Sequence, residues 1–379
     1  MPNLPASPPG AACAVSATLI GESPLRVWGL SPKERLARQL RRFGAGLDRP
    51  EAPRRVLLRG DWVFDDALIA SLVRARQDLA LCAADGSVVA LSIAADQAAA
   101  GAALLARGQA PADIRRLGAA ELADGYDDVL RKREPPYLLP LTAESLREVE
   151  KRVFGGAYKG VTDLVTLYLW PRPARAATRC CAKAGISPNQ VTSASLVLVL
   201  AAMALFWSGH YGPGLLAAWA MTFLDTVDGK LARVTLRSSK LGNIFDHSID
   251  LIHPPFWWWA WIEGLPAAGF ALDQAALVLS AIVAGYVLQR LEEGLFIACF
   301  GMEMHVWQRF DSRLRLITAR RNPNLLLLSA SVLAGRPDLG IVAVAVWTVI
   351  CLLIHALRVV QAAWARRRGP LRSWLATPA

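Results

Sequence analysis

The stretch Asp225-Thr226-Val227-Asp228-Gly229-Lys230-Leu231-Ala232-Arg233 is followed, after eight residues, by Gly242, Asp246 and Asp250. As a pattern it is D-x2-D-G-x2-A-R-x8-G-x3-D-x3-D. Asp225 and Asp228 are three apart and Asp246 and Asp250 four apart, so on helices each pair shares one face. The intervening link is long enough to turn the chain back and let the two faces meet. Four carboxylates gathered in one place repel one another and are costly to strip of water. They make sense together if cations neutralise them. An all-oxygen donor set suits Mg2+, Mn2+ or Ca2+ rather than zinc. Two such ions about 3.5–4 Å apart would clamp a phosphate under in-line attack. Gly229 and Ala232 lie three apart on one ridge, where small residues let a ligand or a neighbouring backbone come close. Arg233 can grip a phosphate with its planar fork.

The chain around this stretch is apolar. Of 379 residues, 54% are hydrophobic and 19% charged, with 13 Trp and a mean hydropathy of +0.32. Soluble domains usually have about 45–50% apolar and about 25% charged residues. A disordered chain is excluded, and an ordinary soluble enzyme is disfavoured. The net charge of +11 would suit nucleic acid or an anionic membrane surface, and hydropathy selects the membrane. Apolar runs at 191–209, 214–224, 244–264, 275–300, 324–335 and 340–357 predict six membrane spans, the fifth short and the fourth interrupted by Gln289-Arg290-Leu291-Glu292-Glu293. Basic residues gather in the 234–241 loop, in the 306–322 loop and in a tail holding Arg366, Arg367, Arg368 and Arg372. The positive-inside rule then puts both termini and the four carboxylates on the cytoplasmic side. The tail is expected to be solvated.

Residues 1–140 read as a soluble α/β domain. Strands are expected at 14–20, 55–59, 79–82 and 87–91, the last two joined by an Asp85-Gly86 turn. Helices are expected from Ser31-Pro32-Lys33-Glu34, over 65–76, and over the Ala-rich run 94–110, with helix or loop following to 127. Residues 141–190 form a basic amphipathic connector with a capped helix at 142–152, and its Trp170, Arg172, Arg175, Arg179 and Lys183 suit the membrane interface. Residues 191–365 are the membrane domain and 366–379 the basic tail. The fold class is thus a polytopic α-helical membrane domain of six spans behind a soluble α/β domain. The six cysteines form no C-x-x-C pair, and adjacent Cys180 and Cys181 are expected to be reduced, buried thiols. The first Arg is Arg26, so a secretory signal peptide is not expected.

The motif, with every fixed position matched, resembles the signature of the CDP-alcohol phosphotransferase family, over roughly residues 155–365. Ser187-Pro188-Asn189-Gln190-Val191-Thr192, leading into the first span, is similar to that family too, though a helix cap explains it equally well. The resemblance implies transfer of a substituted phosphate from a CDP-linked donor to an alcohol, with release of CMP. It implies that Asp225, Asp228, Asp246 and Asp250 hold two Mg2+ or Mn2+ ions, with Asp250 a ligand or the base that takes the acceptor's proton. Gly229, Ala232, Arg233 and Gly242 would border the CDP site. Candidates for binding an anionic acceptor are Arg172, Arg175, Arg179, Arg290, Arg320 and Arg321, each of which could instead serve topology or headgroup contact. His247 and His253 flank the acids as packing or supporting residues. The expected partners are membrane lipids, a CDP-diacylglycerol donor and a polar alcohol, with no nucleic acid; family members often dimerise. The expected location is the inner or plasma membrane. Residues 1–140 resemble a nucleotidyltransferase-like domain, as in the bifunctional inositol-phosphate cytidylyltransferase / di-inositol-phosphate phosphate synthase proteins. Ile20-Gly21-Glu22-Ser23-Pro24-Leu25-Arg26 stands where their Gly-rich phosphate loop would be, so the domain is expected to be degenerate. The alternatives are a soluble CDP-polyol donor such as CDP-inositol, a front half that itself makes the CDP-alcohol, and a non-catalytic scaffold.

Overall fold

The computed structural model describes residues 15–49, 51–238 and 240–376. The chain divides into two compact units. One takes residues 1–129, 133–158 and 233–236; the other takes 130–132, 159–232 and 237–379.

The first unit is an α/β layer. Its elements run β1 (Val15–Ile20), α1 (Pro32–Arg42), β2 (Gly46–Leu47), β3 (Arg54–Arg59), β4 (Trp62–Phe64), α2 (Asp66–Arg74), β5 (Leu79–Cys82), β6 (Val88–Ala94), α3 (Ala98–Leu105), β7 (Arg115–Gly118) and α4 (Ala119–Leu122). Three short strands follow, β8 (Tyr126–Asp127), β9 (Lys132–Arg133) and β10 (Leu138–Pro140), and then α5 (Leu146–Gly156). The main sheet has the order β2-β1-β3-β6-β5-β7, with β6 antiparallel to both neighbours. Val56, Leu57 and Leu58 in β3 are buried in succession, so both faces of the sheet are covered. Leu36, Leu40, Leu68 and Leu72 pack on one face, and Leu105 with Ile93 and Leu91 on the other. Helix α1 starts as its sequence dictates: Ser31 Oγ accepts from Glu34 N at 3.2 Å, and Glu34 returns the bond to Ser31 N at 2.8 Å.

Three local expectations need correction. The 112–127 stretch contains an edge strand, β7, paired parallel to β5. Its Arg-Arg-Leu-Gly sequence has no apolar alternation to announce it. The Ala-rich run is a 3-10 turn and then the short α3, ended well before Pro111. The connector helix runs from Leu146 rather than Thr142, but the expected cap is there: Ser145 N donates to Thr142 Oγ1 at 3.1 Å, Thr142 N to Ser145 Oγ at 2.9 Å, and Leu146 N to Thr142 O at 3.0 Å. Ala14, expected to begin the first strand, lies outside the described residues.

The second unit is helical. After a π-helical turn at Val165–Leu169 come α6 (Pro171–Lys183), α7 (Pro188–Trp207), α8 (Tyr211–Val234), α9 (Lys240–Gly264), α10 (Ala275–Phe300), α11 (Arg309–Leu314), α12 (Arg321–Leu333) and α13 (Pro337–Arg366). Among the described residues three helices, α7, α10 and α13, are long and apolar enough to cross a membrane, against six expected. The others differ for physical reasons. The last turns of α8 carry Asp225, Asp228, Lys230 and Arg233, and the first turns of α9 carry Asp246, His247 and Asp250. Helix α12 has only 13 residues.

Aromatic packing sets the core. Trp257, Trp258 and Trp261 of α9 are buried with Phe206 and Tyr211. Their polar edges are satisfied: Trp257 Nε1 donates to Val199 O at 3.0 Å, Trp261 Nε1 to Pro337 O at 3.1 Å, and Tyr211 Oη to Trp261 O at 2.8 Å. Pro254 and Pro255 sit inside α9 and remove two backbone donors. The carbonyl that Pro255 leaves unpaired, Leu251 O, takes the Tyr286 hydroxyl at 2.9 Å. The tail is not simply solvated: Ser373 Oγ donates to Val306 O at 2.7 Å and Trp374 Nε1 to Ser312 Oγ at 2.9 Å. Of the paired thiols, Cys180 is exposed, not buried.

Gly264 ends α9 against the end of α7, where an added Cβ would strike the Phe206 carbonyl. Because that obstacle is backbone, Gly264→Ala should destabilise the detergent-purified chain by about 1–3 kcal/mol. Thermal unfolding followed by Trp fluorescence checks this; an unchanged midpoint would show that the two helix ends are not held so close.

Candidate active site

The last turns of α8 and the first turns of α9 bring the motif together. Asp225, Asp228 and Asp246 each offer a carboxylate oxygen, and these oxygens lie within 4.8 Å of one another. Asp228 is 4% exposed. Its Oδ2 accepts from Thr192 Oγ1 at 2.7 Å, on the first turn of α7. Asp250 lies outside this triplet and is tied to it by a cation: Arg321, on the first turn of α12, donates Nη2 to Asp225 and Nη1 to Asp250, the latter at 2.5 Å. One guanidinium fork thus spans the acids of two helices. A buried carboxylate such as Asp228, held by the Thr192 hydroxyl, sits where positive charge is needed, and the candidate ligand atoms are all hard oxygens. The residues therefore fit a divalent metal ion.

The other motif residues lie on the same two helices. Gly229 and Ala232 follow Asp228 on α8. Arg233 donates Nε to Ala157 O at 2.8 Å. Gly242 lies one turn before Asp246 on α9. His247 is largely exposed, 3.8 Å from Asp246. His253 is a packing residue: its Nδ1 lies 2.6 Å from Ile249 O and its ring stands edge-on to Trp257. Ser187 caps α7, accepting from Gln190 N at 3.3 Å while Gln190 Oε1 accepts from Ser187 N at 2.8 Å. The cap reading of that segment is thus realised, and it sets Thr192 one turn further on.

The arginine candidates separate. Arg175 and Arg179 lie one turn apart on α6, with Arg172 exposed beside them. Arg290 and Arg320 converge on Glu293 of α10, whereas Arg321 goes to the aspartates. Sequence reasoning missed Thr192, Arg315 and Arg131. Arg131 pairs with Glu303 at 2.7 Å and lies within electrostatic range of Glu293, and Arg315 feels both Arg320 and Glu293. Thr192 lies 36 residues from Asp228, and Arg131 and Arg315 meet Glu293 only in the fold, so no local spacing marks them. In the first unit, Asp65 caps α2 by accepting from Ala67 N, Asp66 pairs with Arg42 at 3.0 Å, and Asp61 pairs with Arg59. These acids are engaged in structural contacts.

The connector is locked to α12 by Asp163. Its carboxylate accepts from Val165 N at 3.1 Å, Thr166 N at 3.0 Å and Asn322 Nδ2 at 3.0 Å. Burial would push this carboxyl up, but the Thr166 and Asn322 hydrogen bonds, helped by Arg315, outweigh it and hold the carboxyl below its ordinary value.

Residues 185–290 match the family model for CDP-alcohol phosphatidyltransferase, which makes this segment a domain of that class. Two curated proteins are similar to the chain. One is the bifunctional IPC transferase and DIPP synthase of Rubrobacter xylanophilus, 28% identical over 206 residues, covering 53% of this chain and 44% of that protein. The other is the phosphatidylinositol phosphate synthase of Mycobacteroides abscessus, 28% identical over 116 residues, covering 29% of this chain and 52% of that protein. The chain thus spans about half the length of the curated relatives it matches.

Because its folded value is depressed, the Asp163 carboxylate stabilises fully above its unfolded value of about 4 and loses that contribution as pH falls through the folded value. Asp163→Asn should cost about 1.5–3 kcal/mol at pH 7, and the gap from wild type should narrow towards pH 3. Thermal midpoints at both pH values check this; equal midpoints at pH 7 would remove Asp163 as the lock.

Proposed function

We propose that the chain is an integral membrane CDP-alcohol phosphotransferase of phospholipid biosynthesis, with CDP-diacylglycerol as donor and a polar, phosphorylated alcohol as acceptor. The observation that carries this reading is the meeting of Asp225, Asp228 and Asp246 within 4.8 Å inside the segment that matches the family. We take α7, α8, α9, α10, α12 and α13 as six spans behind a cytosolic α/β domain of residues 1–140, with both termini and the carboxylates cytoplasmic. The basic loops and tail support that orientation. A lipid donor fits an active site at the ends of apolar helices. The name of the second relative favours a phosphorylated polyol as acceptor.

In this reading Asp225, Asp228, Asp246 and Asp250 hold Mg2+ or Mn2+. Bound there, such ions would offset the carboxylate charge and polarise the pyrophosphate of the donor. The protein's own groups do the rest. Thr192 fixes the Asp228 carboxylate by donating to Oδ2. Gly229, Ala232 and Gly242 leave room for the CDP moiety, and Arg233 contributes positive charge beside it. The acceptor oxygen attacks the β-phosphorus, a new P–O bond forms, and the bond to CMP breaks with its electron pair leaving on CMP. Asp250 takes the hydroxyl proton, and Arg321 orients its carboxylate by holding Oδ1. Arg290 and Arg320 receive the anionic group of the acceptor. We place Arg175 and Arg179, on α6, at the membrane side of that approach.

A second reading has one specific observation behind it. The similarity to a bifunctional IPC transferase and DIPP synthase favours a soluble CDP-polyol, such as CDP-inositol, as donor. CMP release by the purified chain decides between them, with labelled CDP-diacylglycerol and CDP-inositol offered against an acceptor panel in Mg2+ or Mn2+. Release is expected with the lipid donor, abolished by EDTA, and reduced about 100-fold or more in Asp250→Asn. Full activity in Asp250→Asn would overturn the assignment of the base. Release with CDP-inositol alone would establish the second reading, and CTP-dependent pyrophosphate release would reveal an active front half.

A further inference from the structure

A second knot of charge lies away from the aspartates, built by α10, the turn after it, the approach to α12, and α13. Its centre is Glu293, a carboxylate with 17% of its side chain exposed. Oε1 accepts from Arg320 Nη2 and lies 3.3 Å from His305 Nε2; Oε2 accepts from Arg290 Nη1 at 3.3 Å. Around it sit buried donors without a hydrogen-bond partner among the described residues: Nε of Arg131, Arg290 and Arg320, and both Nε and Nη1 of Arg315. Both ring nitrogens of buried His355 also lack a hydrogen bond among the described residues, Nδ1 lying 4.0 Å from Glu292 Oε2, and its ring stands 5.4 Å from that of His305.

Taken by donor type alone, Glu293, His305 and His355, whose donor atoms lie within 4.8 Å of one another, could hold a transition metal. Charge decides otherwise. Arg290 and Arg320 are bonded to Glu293, and Arg131 and Arg315 lie within electrostatic range of it. A divalent cation would enter against four guanidiniums, with only Glu293 and Glu292, whose Oε2 lies 4.0 Å from His355 Nδ1, to offset them. Burial, together with neighbouring Arg320, already pushes the Arg315 guanidinium well below its ordinary range, a strain that an anion would relieve.

We propose that Glu293 is the positioning residue of the acceptor site: its buried carboxylate holds Arg290 and Arg320 side by side, with His305 against the same oxygen, so that this group of arginines can receive one phosphate. The inference rests on the reading of Arg290 and Arg320 as acceptor-binding residues. Like-charged guanidiniums separate unless an anion joins them. Glu293 supplies that anion permanently, so the pair is set before substrate arrives. The unpartnered N–H groups are the ones a phosphate would then satisfy.

The test uses the full chain purified in detergent, with inorganic phosphate and Mn2+ as separate probes. Wild type should bind both. Glu293→Gln should bind phosphate about tenfold or more weakly, because the guanidiniums are no longer held, while Mn2+ binding read by electron paramagnetic resonance stays the same. In turnover, KM for a phosphorylated acceptor should rise by a similar factor with kcat and donor KM little changed, a split that general damage to the fold would not give. Should Glu293→Gln not fold, Glu293→Asp carries the test, with normal Mn2+ binding and phosphate binding a few-fold weaker. Wild-type phosphate affinity in a folded Glu293 variant overturns the positioning role alone. A wild-type chain that binds Mn2+ but no phosphate overturns the acceptor reading beneath it. Zn2+ binding lost on His355→Ala, but retained without Asp228 and Asp246, would make the knot a cation site and overturn the proposal.

Discussion

Carboxylates cannot share a small volume unless positive charge enters with them, and the helical unit is arranged around that requirement. Asp225, Asp228 and Asp246 meet at the junction of α8 and α9, and Arg321 reaches in from α12 to bind Asp225 and Asp250 together. Two charge-assisted bonds on one planar fork fix the two carboxylates relative to each other. The bridge constrains geometry as much as charge. It sets the start of α12 against both acid-bearing helices, and it selects which carboxylate oxygens stay open. Thr192 does the same from α7, spending a hydroxyl on the most buried of the acids. The tryptophans of α9 and the close approach at Gly264 fix the far ends of the same helices, so the acids sit at the end of a rigid lever.

Much of this architecture was legible in the sequence where local rules apply. Ser187-Pro188 with Gln190 announced the start of α7, and the same logic placed α1 at Ser31. Apolar length found α7, α10 and α13. The failures also have local causes. β7 is an edge strand made of Arg-Arg-Leu-Gly, which owes its pairing to β5 rather than to any alternation of its own. The tail looked solvated because its arginines dominate its composition, yet Ser373 and Trp374 between them anchor it by hydrogen bonds. The Thr142–Ser145 pair forms the cap its residues announce, and only the first residue of the helix proper, Leu146, lies later than expected.

At the site, the spacing of the aspartates put three of them together, because helical periodicity is a local rule that the fold did not override. What periodicity could not supply was the partner of each acid. Thr192 and Asp228 are 36 residues apart, and Arg321 lies 71 residues from Asp250 and 96 from Asp225. Such pairings depend on which helix faces which, a property of the packed bundle. Nor could adjacency in sequence be trusted. Arg320 and Arg321 looked equivalent as anion-binding candidates, and the fold sends them to different places.

That divergence is the organising feature of the site. Three consecutive side chains at the start of α12 reach three separate structures. Arg320 goes to Glu293 on α10, Arg321 to the aspartates of α8 and α9, and Asn322 to Asp163 ahead of the π-helical turn. Neighbouring residues at a helix start point in different directions, so one backbone segment can serve three partners at once. The arrangement makes the three mechanically dependent. A shift of the α12 start that lengthens the Arg321 bridge must also move Arg320 relative to Glu293 and pull on the Asp163 lock. If the aspartates hold the donor and the arginines around Glu293 the acceptor, the register between the two substrates is set by a single residue step along one chain. That spacing cannot be tuned by side-chain rotation alone, which gives the short α12 a reason to be anchored so heavily at its first turn.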